Sequence, residues 1–221
     1  MAEPLLDPGF ALVPGLFPKS EVSRLLEILG PVAGAGRRGL LALPAASQLA
    51  RSARILELVR FRLRAEPRAV RAIYFDKIPG ANWLVAWHQD LTVAVRARAE
   101  VPGFGPWSVK SGVPHVQPPV GLLERMLAVR LHLDDCDESN GALRVLPGTH
   151  KFGLLSAEQI AELRRDVTEI VCRGSAGDVL LLRPLLLHAS ARSGGQRHRR
   201  VLHIEYAGFD LPAPLEWGEA G

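Results

Sequence analysis

The amino-acid sequence predicts an α+β fold: a double-stranded β-helix, or jelly roll, with helices flanking it on the N-terminal side. Three observations predict it. Apolar residues at helical spacing are confined to residues 20–63, apart from one short segment near residue 160. From Val70 onward the chain is a series of short apolar runs separated by turn residues, the pattern of a strand-rich core. The 221 residues are 48% hydrophobic, enough for one sizeable core, so a single domain is expected over residues 1–221.

The elements follow in order. Phe10-Ala11-Leu12-Val13 reads as a strand, stopped by Pro14-Gly15. Ser20 is a suitable N-cap for a helix in which Val22, Leu25, Leu26 and Leu29 recur, up to Gly30. Gly34 to Gly39 is a glycine-rich loop. A second helix is expected from about Ser47 to Leu63, ended by Pro67, with Leu49, Ile55, Leu56, Val59 and Leu63 on its apolar side. Arg51, Arg54, Arg60 and Arg62 occupy its other positions and read as a solvated face. Ala72 to Ile78 is a strand, followed by a Pro79-Gly80 turn and a strand carrying His88 and Asp90. Leu91 to Pro119 is rich in Gly, Pro and basic residues and is long for a structureless loop, so it reads as a mobile lid. Strands are then expected at Met126–Leu133, Ala142–Leu146, Val167–Val171, Val179–Leu182 and Arg200–Ala207. One helix interrupts them, with Ser156 as N-cap and Ile160 and Leu163 inward.

Composition narrows the function classes. The formal net charge is +4, far short of a nucleic-acid footprint. No apolar stretch reaches the ~20 residues of a membrane span. Met1-Ala2-Glu3-Pro4 lacks the basic start and apolar run of a signal peptide. The two cysteines, Cys136 and Cys172, have no metal-like spacing and suggest no disulfide framework, which fits a reducing cytoplasm. The expected partner is a small-molecule substrate, with no nucleic acid and no membrane, and the expected state is a monomer or weak homo-oligomer.

The chemistry is organised around Trp87-His88-Gln89-Asp90. On a strand, residues i and i+2 share a face, so the His88 imidazole and the Asp90 carboxylate converge. With one distant histidine they would form a 2-His-1-carboxylate triad, which holds Fe(II) on one side and leaves positions open for a cosubstrate and O2. His188 is the best candidate for the third ligand, since a jelly roll brings distant strands side by side. Its rivals are His132, His150, His198 and His203. If the electron donor is 2-oxoglutarate, its far carboxylate needs a cation, and the arginine fork suits it. Arg199 and Arg200 are both placed for that role.

Three blocks then resemble the phytanoyl-CoA dioxygenase family of Fe(II)/2-oxoglutarate oxygenases. The first runs from Asp76-Lys77-Ile78-Pro79-Gly80 to Trp87-His88-Gln89-Asp90. The second runs from Leu133-Asp134-Asp135 through Asn140-Gly141-Ala142-Leu143 to Pro147-Gly148-Thr149-His150-Lys151. The third joins Gly177-Asp178, His188-Ala189-Ser190 and Arg199-Arg200. The resemblance implies a cupin-like jelly roll and, as cofactor and cosubstrates, Fe(II), 2-oxoglutarate and O2. It implies His88, Asp90 and His188 as catalytic metal ligands. It selects Arg199, eleven positions after the distal histidine, over Arg200 as the cosubstrate arginine, with Ser190 sharing the carboxylate. Lys77 matches a family position and becomes a cosubstrate or substrate contact. Arg130 falls where some relatives place an aromatic residue, and is a cosubstrate contact, a substrate contact or a core-edge salt bridge. Asn140-Gly141, Pro147-Gly148 and His150 are implied to be structural. In the lid, Trp107, Lys110 and His115, with Trp83 nearby, are candidate substrate contacts. The implied activity is hydroxylation of a small metabolite. The alternative is a metal-binding jelly roll without oxygenase activity, which has no need of a buried cation at Arg199.

Overall fold

The structure, a computed structural model, describes residues 7–32, 34, 36–78, 82–194 and 197–219. Met1–Pro4 and the Pro79-Gly80 turn lie outside the described residues. The chain runs β1 (Phe10–Val13), α1 (Lys19–Leu29), β2 (Gly36–Arg37), α2 (Pro44–Ala50), α3 (Ala53–Leu63), β3 (Arg68–Lys77) and β4 (Val85–His88). It continues β5 (Val93–Ala94), β6 (Trp107–Lys110), β7 (Val113–Val116), α4 (Val120–Leu123), β8 (Met126–His132) and β9 (Leu143–Val145). It closes with α5 (Ala157–Asp166), β10 (Ile170–Cys172), β11 (Val179–Leu182), β12 (His188–Ser190) and β13 (Arg199–Ala207). A six-stranded sheet has the order β1-β11-β8-β13-β3-β2, a four-stranded sheet the order β10-β9-β12-β4, and a three-stranded sheet the order β5-β7-β6.

Period-2 alternation separates the two faces of the large sheet. Ala72 and Tyr74 of β3, Leu127, Val129 and Leu131 of β8, and Leu202, Ile204 and Tyr206 of β13 join one apolar cluster with Val22, Leu25 and Leu29 of α1 and Ile55 and Val59 of α3. Tyr206 donates its hydroxyl to the Ala50 carbonyl at 2.8 Å, tying the end of α2 to the sheet. The opposite face looks into the jelly roll. There Ala128 and Leu180 of the large sheet pack with Leu143 and Val145 of the four-stranded sheet. Inward positions of the same strands also carry Arg71, Lys77, Arg130, Arg199, His203 and Glu205, all charged or titratable. A core face so rich in polar groups belongs to a binding cavity rather than to packing.

Several expectations are corrected. The single helix over Ser47–Leu63 is two helices: Ser52 is extended at ψ 140, and its hydroxyl donates to the Leu49 carbonyl at 2.8 Å, closing α2 before α3 begins. Ser20 is not the cap of α1; Pro18 holds that position, and the helix starts at Lys19, two residues earlier than expected. The strand placed at Val167–Val171 starts only at Ile170, because α5 runs on to Asp166. Ser156 does cap α5 through a reciprocal capping box with Gln159, whereas Ile160 and Leu163 are only half-buried.

The largest correction concerns Leu91–Pro119, which contains a sheet of its own. Val93, Val95 and Val116 are buried with Trp217 of the C-terminal segment, so apolar burial anchors what the Gly and Pro content suggested was loose. Amides of Val93–Val95 and Val113–Val116 are therefore expected to resist hydrogen exchange before any ligand is added, with residues 97–103 exchanging fast. Fast exchange across the whole of 91–119 would restore the mobile lid.

Candidate functional site

Strands β12 and β4 pair antiparallel with His188 directly opposite His88. Their rings stand 4.2 Å apart between centroids. Strand β4 ends at His88, so Asp90 is not on the strand as expected. Its convergence comes instead from the chain turning at Gln89 and from the Asp90 N–H donating to the Pro184 carbonyl at 2.8 Å. Asp90 Oδ1 lies 3.6 Å from His88 Nε2, and Oδ2 lies 3.5 Å from His188 Nε2. One ligand atom from each of the three lies within 4.8 Å of the others, so the group could hold a metal ion.

The tautomers follow from the neighbours. His88 Nδ1 meets the Ala86 carbonyl and His188 Nδ1 the Leu186 carbonyl, each at 2.8 Å. A carbonyl only accepts, so Nδ1 carries the proton and the Nε2 lone pair faces the centre of the triad. Burial pushes the His188 pKa down to about 4, keeping the ring neutral at pH 7, the form a metal binds. Burial alone would raise Asp90, but His188 and then His88 outweigh it and keep the carboxylate ionised. Burial likewise works to lower His88, and the Asp90 carboxylate more than offsets it.

Gln89, between the two ligands, points the other way. Its Nε2 donates to the Gly153 and Leu185 carbonyls at 2.8 and 2.7 Å, and its Oε1 accepts from the Leu155 N–H at 3.0 Å. It ties the loop after residue 152 and the approach to β12 to the His88–Asp90 corner.

Beside the triad lies a cluster of buried cations. Arg199 on β13 stands opposite Lys77 on β3, and they are 3% and 0% exposed. Lys77 Nζ donates to Ser190 Oγ at 3.1 Å and to the Ala191 carbonyl at 2.6 Å. Arg130 Nη1 donates to His203 Nδ1 at 3.1 Å. None of the three meets a carboxylate within ion-pair distance among the described residues. Among the described residues, the Nε atoms of Arg199 and Arg130 and both ring nitrogens of His132 have no hydrogen-bond partner. Burial drives Lys77 down to about 7, Arg130 to about 10, and Arg199 below its usual value. An uncompensated buried ion costs several kcal/mol, so the cluster calls for an anion. A dicarboxylate that also reaches the metal fits this donor set. Gly141 lets the wall close on it: at φ +77, an added Cβ would sit 2.6 Å from the Ala191 oxygen and 3.3 Å from Lys77 Nζ.

Arg200 is directed elsewhere. One position out of phase, it faces away from the cavity, and its Nε and Nη2 hold the Asp134 carboxylate at 2.8 and 2.6 Å. The rival histidines also have other settings. His150 sits in the turn against Gly9, His198 Nδ1 meets Asp76 at 2.9 Å, and His203 bridges Arg130 and Glu205. His132 is buried in the jelly roll, its nitrogens unpartnered.

Two cavities adjoin the triad, of about 330 and 200 Å³. Lys110 lines both and Trp83 the smaller, whereas Trp107 and His115 line neither. His115 is 1% exposed, with Nδ1 against the Val113 carbonyl at 3.0 Å, so it belongs to the core of the small sheet. Sequence reasoning missed Gln89 as a tie and Arg71, His203 and Glu205 as cavity walls. Arg71 Nη1 donates to Glu205 Oε1 at 3.0 Å, and His203 Nε2 is 3.4 Å from the same oxygen. The available signal was phase: Arg71 shares the parity of Lys77 on β3, and His203 and Glu205 share that of Arg199 on β13.

Comparisons with known proteins agree with this geometry. The family profile described as phytanoyl-CoA dioxygenase matches residues 6–201. No curated protein sequence matches the chain. Among solved structures, apo EctD from S. alaskensis superposes with a TM-score of 0.73 at 19% identity, covering 95% of this chain and 78% of that one. The non-heme α-ketoglutarate-dependent carbocyclase SnoK from nogalamycin biosynthesis gives 0.70 at 14%, covering 100% and 87%. HygX from Streptomyces hygroscopicus, with nickel and 2-oxoglutarate bound, gives 0.65 at 19%, covering 94% and 87%. At these identities the structures speak for the jelly-roll fold. The profile match over nearly the whole chain, on a fold that gathers two histidines and a carboxylate beside a buried cation cluster, establishes that this chain belongs to the phytanoyl-CoA dioxygenase family of iron- and 2-oxoglutarate-dependent oxygenases.

Proposed function

We propose that the protein hydroxylates a C–H bond of a small-molecule metabolite, with Fe(II) held by His88, Asp90 and His188. The observation that carries this reading is the set of buried cations, Arg199, Lys77 and Arg130, that have no carboxylate partner among the described residues and lie beside a group that could hold a metal ion. A metal-binding jelly roll without oxygenase activity has no use for them. A solved EctD structure contains 2-oxoglutarate and 5-hydroxyectoine, which supports a hydroxylated small molecule as the kind of product.

Bound Fe(II) supplies activation of O2, coupled to oxidative decarboxylation of 2-oxoglutarate to succinate and CO2, with the second oxygen atom going to the substrate. The chain's own residues do the rest. Arg199, with its guanidinium held inside the jelly roll, would bind the far carboxylate of 2-oxoglutarate, assisted by the Ser190 hydroxyl. Lys77, hydrogen-bonded to Ser190, would orient that hydroxyl and add positive charge. Arg130, fixed by His203, would face the cosubstrate from the β8 side. The Nδ1 contacts of His88 and His188 hold both rings in one orientation.

Anaerobic titration tests the reading. Fe(II) followed by 2-oxoglutarate should produce the weak visible band of a chelate, and admission of air should yield succinate. No band and no succinate would remove the oxygenase assignment.

A further inference from the structure

We infer that the substrate is a free carboxylic acid with an apolar body, its carboxylate held by Lys110 and Arg38; this rests on the oxygenase reading above. The two cavities beside the triad share Arg71, His88, Asp90, Lys110 and Glu205, so they meet at the proposed metal. Leu91, Val93, Leu123, Met126 and Ala128 line the larger one, an apolar seat for a carbon skeleton.

Two cations, Arg71 and Lys110, and two carboxylates, Asp90 and Glu205, meet at the junction, but both carboxylates are already engaged. Asp90 belongs to the triad, and Glu205 is taken up by Arg71 and His203. Among the described residues, Lys110 Nζ donates to the neutral Thr92 hydroxyl alone, at 2.7 Å. Arg38, lining the smaller cavity, makes no ion pair among the described residues. Both side chains line the cavity while remaining open to solvent. Burial, and then the Arg71 charge, lower the pKa of both Lys110 and Arg38, and the nearby carboxylates, Asp90 and Glu205 for Lys110 and Glu205 and Glu219 for Arg38, only partly offset this.

Size points the same way. A cavity of about 330 Å³ is at the low end of small-molecule sites. A thioester would mask the carboxylate that these cations await and would leave its nucleotide outside the cavity.

The test uses the purified protein with Fe(II) and 2-oxoglutarate. The probes are alkanoic and arylalkanoic acids of about six to ten carbons, a range chosen for a site of this size. Each acid is run beside its methyl ester and its coenzyme A thioester. Acids should stimulate succinate formation, gain a hydroxyl by mass spectrometry, and shift the anaerobic chelate band, whereas esters and thioesters should not. Lys110→Met should raise the KM for the best acid about tenfold or more and bring acid and ester to parity, since the neutral side chain no longer tells them apart. Arg38→Gln should do the same to a smaller degree. An ester or thioester that works as well as its acid, a Lys110→Met protein that keeps the preference, or no response to any acid while 2-oxoglutarate alone is turned over, each overturns the inference and leaves the oxygenase reading standing. Absence of any succinate would instead overturn that reading, and this one with it.

Discussion

Asp90→Gly is expected to abolish hydroxylation and to leave the purified protein with little Fe(II). The carboxylate is the only anionic member of the triad, and it sits 3.6 and 3.5 Å from the two Nε2 atoms that face it. Without it, two neutral imidazoles face a dication with no compensating charge. Changing a residue that merely orients a ligand costs about 10–100-fold in metal affinity, so removing a ligand should exceed that. The fold should survive, because the backbone N–H of residue 90 still donates to the Pro184 carbonyl and Gln89 keeps its three hydrogen bonds. Metal content after desalting and the anaerobic chelate band measure the effect, with circular dichroism as the control for folding. Normal iron content with full hydroxylation would take Asp90 out of the metal site.

Arg199→Ala should raise the KM for 2-oxoglutarate by roughly 100-fold or more while iron binding stays near normal. Removing one partner of a buried charge pair costs about 3–5 kcal/mol, which is roughly two to three and a half powers of ten in affinity. Lys77 and Arg130 remain in the cavity, so the lower end of that range is expected. Arg200→Ala is the internal control. Its side chain grips Asp134 on the outer face, and loss of that partly exposed pair should lower stability by about 1 kcal/mol with little change in KM. Steady-state succinate formation against 2-oxoglutarate concentration separates the two. A larger KM effect at Arg200 would mean that β13 runs one residue out of the phase described above.

That phase marks the boundary between what could be read from the residues and what could not. Val201, His203 and Glu205 share parity with Arg199, while Leu202, Ile204 and Tyr206 share parity with Arg200. Once the strand is drawn from Arg199, alternation alone sends Arg199 inward. The sequence reading began the strand at Arg200 and needed a family resemblance to choose. The β12 strand was missed as well, since three residues after a turn carry too little period to be seen. The same weakness hid the sheet within Leu91–Pro119: strands of two to four residues, interrupted by Gly and Pro, look like loop until Trp217 from the far end of the chain covers them.

By itself the sequence determined the fold class, the order of the main strands and the residue types at the candidate site. Those depend on local period, turn chemistry and the fixed preferences of metals and carboxylates for their partners. The tertiary structure alone decided which residues meet. It set His188 opposite His88 across β12 and β4, turned Asp90 inward past the end of its strand, and gathered Lys77, Arg130 and Arg199 with no carboxylate partner among the described residues. It also added Arg38, Arg71, His203 and Glu205 to the cavity walls, and kept Lys110 there while removing Trp107 and His115. Such meetings come from strand pairing across a hundred residues, and no local pattern in a chain carries the register of a distant partner.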